Sequence, residues 1–157
     1  MSSSHFCAAE RQFRTPLEYG GKRTPTAQWT VTGAGAAIVG SGGPPYITGV
    51  TFGRVRDYDI TDINNMGAAM APAAAETILR YFADTGDDPA SFDTIFTGDL
   101  GFVGRTLLLQ LLKKEGLVLR NHEDCGLLIF DRNKQEVQAG GSGAGCSASV
   151  LCCHILP

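Results

Sequence analysis

The chain contains no run that reads as a membrane span. Its longest apolar stretches fall far short of the about 20 residues needed to cross a bilayer. The opening MSSSHFCAAERQF lacks the basic segment and apolar core of a secretory signal, and it does not read as one. The formal net charge is only −3, and no Lys/Arg run or basic patch points to nucleic acid. No basic amphipathic stretch argues for a membrane surface. There is no CxxC pair and no metal-ligand spacing. The five cysteines, Cys7, Cys125, Cys146, Cys152 and Cys153, read as reduced, buried cysteines of a cytosolic protein.

What the chain has is enough length for a domain with a real core, 157 residues, and 20 glycines that fall in clusters. The clearest unit is Asp93–Gly116. Thr94-Ile95-Phe96 is a short strand-like run, and Thr97-Gly98-Asp99 breaks it. Val103, Leu107 and Leu111 then recur at helical spacing, with Leu108 and Leu112 beside them. Lys113, Lys114 and Gly116 suit a helix C-terminus. The spacing predicts strand, tight turn and amphipathic helix. Ligands in open α/β sheets gather at the carboxyl ends of strands, which is where the Thr-Gly-Asp turn falls.

Around this unit, Met1–Phe6 reads as the end of a strand, Cys7–Arg14 as a short helix and Thr15–Thr26 as a loop. Gln28–Thr32 reads as a strand, Gly33-Ala34-Gly35 as a tight joint, and Ala36–Val39 and Tyr46–Val55 as further strands. Arg56–Asn65 is a polar loop. Met66–Ala83 is a helix capped by Asn64 or Asn65, with Met70, Ala74, Ile78 and Phe82 on one face and Pro72 tolerable if the helix starts late. Asn121–Asp124 reads as a solvated polar turn, Gly126–Phe130 as a buried strand or an element packed beneath one, and Ser147–Leu156 as a helix. The alternation argues for an α/β fold with a largely parallel sheet. Both ends read as cut, since the last predicted helix has no strand after it.

Few stretches carry chemistry. Ala139–Ala148 (AGGSGAGCSA) lacks the Lys-Ser/Thr ending of a phosphate loop and does not make a clean dinucleotide fingerprint. Its backbone amides, leading into a helix, are suited to an anion or to close helix–sheet packing. Gly140–Ala144 matches G-x-S-x-G only if the last glycine is relaxed to alanine, and no strand leads tightly into it. Thr97, Gly98 and Asp99 offer a hydroxyl, an amide and a carboxylate, Asp99 also being placed to cap the next helix. Asp57, Asp59 and Asp62 lack the glycine and terminal glutamate of a calcium loop and read as solvated. Of the histidines, His122 and His154 read as structural or solvated, while His5, at the end of a strand, is placed like a site residue.

Three long segments, SSHFCAAERQFRTPLEYGGKRTPTAQWTVTGAGA, FTGDLG and DCGLLIFDRNKQEVQAGGSGAGCSAS, resemble the stage V sporulation protein AD family. That family lies in the thiolase-like superfamily and is similar to ketoacyl-acyl carrier protein synthases of the third class. The resemblance covers nearly the whole chain. It implies part of a layered, duplicated α/β fold: residues 1–45 as the end of the first half, and 46–157 as the second half without its closing strands. The enzymes of the superfamily carry a His turn where this chain has Thr97-Gly98-Asp99-Leu100, and an Asn where it has Gly140–Gly143. Claisen chemistry needs a thiolate and oxyanion donors, so condensation is not expected.

The resemblance implies instead a non-catalytic protein that binds dipicolinic acid and helps move it into the developing spore. Its ligand-binding residues would be His5, Thr97, Gly98, Asp99, Gly140, Gly141, Ser142 and Gly143. No cofactor is implied, apart from calcium as a companion of dipicolinate. Other proteins of the uptake assembly at the membrane are the implied partners, with a homodimer at full length. The implied location is the cytoplasmic face of the spore inner membrane, in the forespore. The alternative is a degenerate acyl-transferase or thioesterase using Cys146 or Cys125.

Overall fold

The computed structural model describes residues 1–7 and 23–157. All of the expected Cys7–Arg14 helix but Cys7, and most of the Thr15–Thr26 loop, lie outside the described residues. The observed class is mixed α/β. In chain order come β1 (Ser2–Ser4), β2 (Trp29–Thr30), β3 (Gly33–Gly35), α1 (Met66–Thr85), a 3-10 turn (Pro89–Ser91), β4 (Ile95–Thr97) and α2 (Gly101–Lys114). There follow β5 (His122–Asp124), the short α3 (Cys125–Leu128), β6 (Gly141–Ser142), α4 (Ala144–Val150) and a wide π-type turn (Leu151–Ile155).

Among the described residues the strands pair two by two. β4 and β5 are parallel, Ile95 opposite His122 and Thr97 opposite Asp124, with α2 as the crossover between them. β2 and β6 are also parallel, whereas β1 and β3 are antiparallel. Strand, turn and helix thus appear where the Asp93–Gly116 pattern put them. α2 ends as expected: Gly116 takes φ 85°, Leu117 N donates to Leu112 O, and Gly116 N donates to Lys113 O. This paired closure satisfies carbonyls that the helix leaves open.

α1 packs on α2 over a core of Ala71, Ala75, Leu100, Leu108, Leu112 and Leu119. Met70, Ala74, Ile78 and Phe82 flank that core, and the most buried stripe of α1 is Gly67, Ala71 and Ala75. A Cβ on Gly67 would sit 2.6 Å from Leu100 O and 2.7 Å from Gly104 N, so the two backbones touch. The Asn65 side chain accepts from Ala68 N at 3.2 Å and caps α1. α1 starts at Met66, so Pro72 lies within it. A second core holds Val31, Cys125, Cys146 and Val150.

Several expected elements differ. Gly33-Ala34-Gly35 is itself a strand, and Ala36–Val39 is not. A side chain on Gly35 would collide with the Ala148 backbone, so only glycines let β3 lie against α4. Tyr46–Val55 forms no strand. β-propensity needs a neighbour to supply hydrogen bonds, and none of the described strands lies beside it. Gly126–Phe130 is not a strand, because the chain turns helical at Cys125. A short apolar run reads the same in either state. Asn121–Asp124 is a strand and not a turn. The last helix starts three residues early, at Ala144, and loosens after Val150.

Candidate functional site

The Thr97-Gly98-Asp99 turn and the glycine loop meet. Asp99 Oδ2 accepts a hydrogen bond from Gly143 N at 2.7 Å. Gln28 Nε2 donates to Asp99 O at 2.7 Å and to Gly141 O at 2.8 Å, stitching both segments to the entry of β2. Phe102 N donates to Ala139 O at 2.7 Å, at the start of α2. Gly98 faces α4 so closely that a Cβ would stand 2.7 Å from Ser147 Oγ. Gly143 takes φ 97°, a left-handed conformation that suits glycine and turns its amide onto Asp99.

Asp99 does not cap α2, contrary to expectation. Asp124 does that from the neighbouring strand: its Oδ1 and Oδ2 accept Leu100 N and Gly101 N, both at 2.9 Å. The Thr97 hydroxyl donates to Asp124 Oδ1 at 2.6 Å and lies 3.1 Å from His122 Nε2. Asp124 is fully buried. Burial pushes its carboxyl up, against the pull of the Thr97, Gly101 and Leu100 hydrogen bonds, and the charge on Asp99 adds to the rise.

His122 is 2% exposed, not solvated. Burial, and next the Arg105 guanidinium, push it down to about 4, so the ring is neutral. Arg105 also donates to His122 O at 2.6 Å. The strand alternates His122 in, Glu123 out, Asp124 in. The alternation was present in the sequence, but hydrophobic patterning is blind to it because all three side chains are polar.

The remaining predicted residues distribute unevenly. Gly140, Gly141 and Ser142 are buried within the loop and β6. A Cβ on Gly141 would press on Ile129 and Val31, and one on Gly140 would meet Gly126 O at 2.6 Å. His5 is exposed. β1 reaches the loop through Ser4 instead, whose hydroxyl donates to Val31 O at 2.6 Å and accepts from Gly145 N at 2.9 Å. Ser4, Gln28, His122 and Asp124 are the residues that sequence reasoning missed here. Asp57 and Asp62 brace local turns by accepting from Asp59 N and Asn64 N. Among the described residues no group of His, Cys, Asp or Glu is arranged to hold a metal ion.

Thr97, His122 and Asp124 do not form a nucleophilic triad. The carboxylate contacts the hydroxyl directly, and among the described residues His122 Nδ1 has no hydrogen-bond partner. Burial pushes the Cys125 thiol up to about 11, with Asp124 adding to it, and the Cys146 thiol up to about 12, with Asp99 adding to it. Both are protonated thiols near neutral pH, the unreactive form. What the site does contain is a glycine-loop amide already holding a carboxylate.

Among the described residues no helix is long and apolar enough to cross a membrane. The Stage V sporulation protein AD (SpoVAD) family model matches residues 1–157. The chain is 49% identical over 157 residues to "Stage V sporulation protein AD" of Bacillus subtilis (strain 168), covering 99% of this chain and 46% of that protein. It therefore spans about half the length of the curated relative it matches. With a match along its whole length, the chain belongs to the stage V sporulation protein AD family, a family of sporulation proteins.

Proposed function

We propose that this chain supplies part of a non-catalytic site for dipicolinic acid, pyridine-2,6-dicarboxylate, used to take that compound into the developing spore. The observation that carries the reading is the meeting of the Thr97–Asp99 turn with the Gly140–Gly143 loop, where Gly143 N holds a carboxylate oxygen at 2.7 Å. Dipicolinate is a small planar dianion, and backbone amides of a glycine loop suit its carboxylates. Gly98, Asp99 and Gly140–Gly143 form the centre of the proposed site, with Thr97 behind it and His5 at its exposed margin. Asp99 repels a bare dianion, which gives calcium a place as the companion cation. No further cofactor enters the reading.

The protein is proposed to be thiolase-like in its wider fold, dimeric at full length, and to work with other proteins of the uptake assembly. Its proposed place is peripheral, at the cytoplasmic face of the spore inner membrane in the forespore. The high, burial-driven positions of the Cys125 and Cys146 thiols favour binding over acyl transfer or thioester hydrolysis.

The test is calorimetric titration of the chain with dipicolinic acid, with and without calcium, against benzoate. Saturable heat for dipicolinate and none for benzoate is the expected result. A folded sample that gives no heat in either condition overturns the reading for this chain.

A further inference from the structure

The Asp99–Gly143 contact is the side-chain join between the turn and the glycine loop, beside the bridges made by Gln28 and by Phe102 N. Behind Asp99, the buried Asp124 takes three donors that flank the turn: the Thr97 hydroxyl on one side, and Leu100 N and Gly101 N on the other. The Thr97 hydroxyl has one hydrogen, and at 2.6 Å it goes to Asp124. The hydroxyl oxygen can then only accept from the ring nitrogen 3.1 Å away, which assigns the His122 proton to Nε2. Among the described residues, His122 Nδ1 is correspondingly a buried atom without a donor. The hydrogen bonds therefore run in one direction, from His122 Nε2–H to Thr97 to Asp124.

We propose that Thr97 and Asp124 are positioning residues for the Asp99–Gly143 contact, holding the turn so that the Asp99 carboxylate reaches the glycine loop. Neither touches Gly143. They act through the turn, which three hydrogen bonds to one buried carboxylate hold from behind while Gln28 holds Asp99 O. This assigns Thr97 a role other than donating to a ligand, since its hydrogen is already committed. The functional weight of the proposal rests on the dipicolinate reading, but its test needs no ligand.

The experiment follows the Gly143 amide by NMR in the ¹⁵N-labelled full chain, with Leu108 and Leu112 as reference amides of the α1–α2 core. Thr97→Val keeps the shape of the side chain and removes both hydrogen bonds. It should raise Gly143 exchange about tenfold or more relative to the reference amides, the scale of one lost charge-assisted hydrogen bond. It should also move the Gly143 proton resonance upfield. Thr97→Ser, which keeps the hydroxyl, should stay within about threefold of wild type. His122→Gln, which keeps a donor toward the Thr97 oxygen, should do the same.

An unchanged Gly143 in folded Thr97→Val overturns the proposal. So does an equal acceleration of all three amides, or a Thr97→Ser chain that behaves like Thr97→Val. If Thr97→Val does not fold, Asp124→Asn is read in its place: selective acceleration of Gly143 exchange supports the proposal, and an unchanged Gly143 or an equal acceleration of all three amides overturns it. Wild-type chain with a protected Gly143 and no dipicolinate heat would sink the ligand reading and leave the positioning intact.

Discussion

Replacing His122 by glutamine should change how stability depends on pH. The imidazole is 2% exposed and is pushed down to about 4, by burial first and by Arg105 second. In the unfolded chain it titrates near 6.5. The folded pKa lies below the unfolded one, so the neutral ring's contribution is complete above about 6.5 and is lost as pH falls toward about 4. At about 1.4 kcal/mol per pH unit for one proton, the loss across that window is about 3 kcal/mol. Asp124 works the other way. Its carboxyl is raised, so its share of stability improves as pH falls into the carboxylate range.

Urea unfolding, followed by circular dichroism at several pH values from about 7 to about 4, gives the free energy of both proteins. Subtracting variant from wild type cancels Asp124 and the surface carboxylates. The difference should shrink in wild type's disfavour as pH falls, with a slope approaching one proton between about 6 and 4.5. A difference that stays constant through the window, or one of opposite slope, refutes the assignment of His122 as a buried neutral ring.

Other outcomes follow from particular contacts. Gly67→Ala puts a methyl group against backbone atoms of α2 on two sides, so it should cost about 1–3 kcal/mol and lower the melting temperature, read by scanning calorimetry. Cys7 and Cys153 are exposed whereas Cys125 and Cys146 are buried, so brief iodoacetamide treatment of the native chain should label the first pair and spare the second, read by mass spectrometry. Rapid labelling of Cys146 would reopen the acyl-transfer reading. Val50 and Phe52 are 73% and 83% exposed in an apolar segment that pairs with no described strand, so the chain should self-associate. Val50→Asp with Phe52→Asp should shift sedimentation toward monomer without altering the melting of the α1–α2 core.

The parts legible in the sequence were those where one face is apolar. Leu108 and Leu112 announce α2, and Gly116 announces its end. The alanine-rich α1 was visible for the same reason, although its closest contact runs along Gly67, Ala71 and Ala75, residues too small to stand out in a hydrophobic pattern. The turn and the glycine loop were each visible as breaks, and their meeting was not, because Asp99 and Gly143 stand 44 positions apart. The buried polar strand His122–Asp124 was missed because its residues individually favour water. It is buried only because Thr97, Arg105 and two amides of α2 satisfy it. Tyr46–Val55 shows the reverse failure, a strand-like composition with no described neighbour to pair with.

The stitching by Gln28 and Ser4 also sets an order of events. Thr97 finds His122 across 25 residues, but Gln28 reaches Gly141 across 113 and Ser4 reaches Gly145 across 141. Closing the longer loops costs about 1 kcal/mol more in chain entropy, before any contact is gained. β4, α2 and β5 can therefore assemble early as a local unit, with the β2–β6 pairing following as a late, slow closure. The sole tryptophan, Trp29, lies in β2, stacked on Phe6 at 5.1 Å, so its fluorescence reports that closure. During refolding the tryptophan signal should trail the helical signal. For that interval the chain holds a formed Thr-Gly-Asp turn with no glycine loop yet closed upon it.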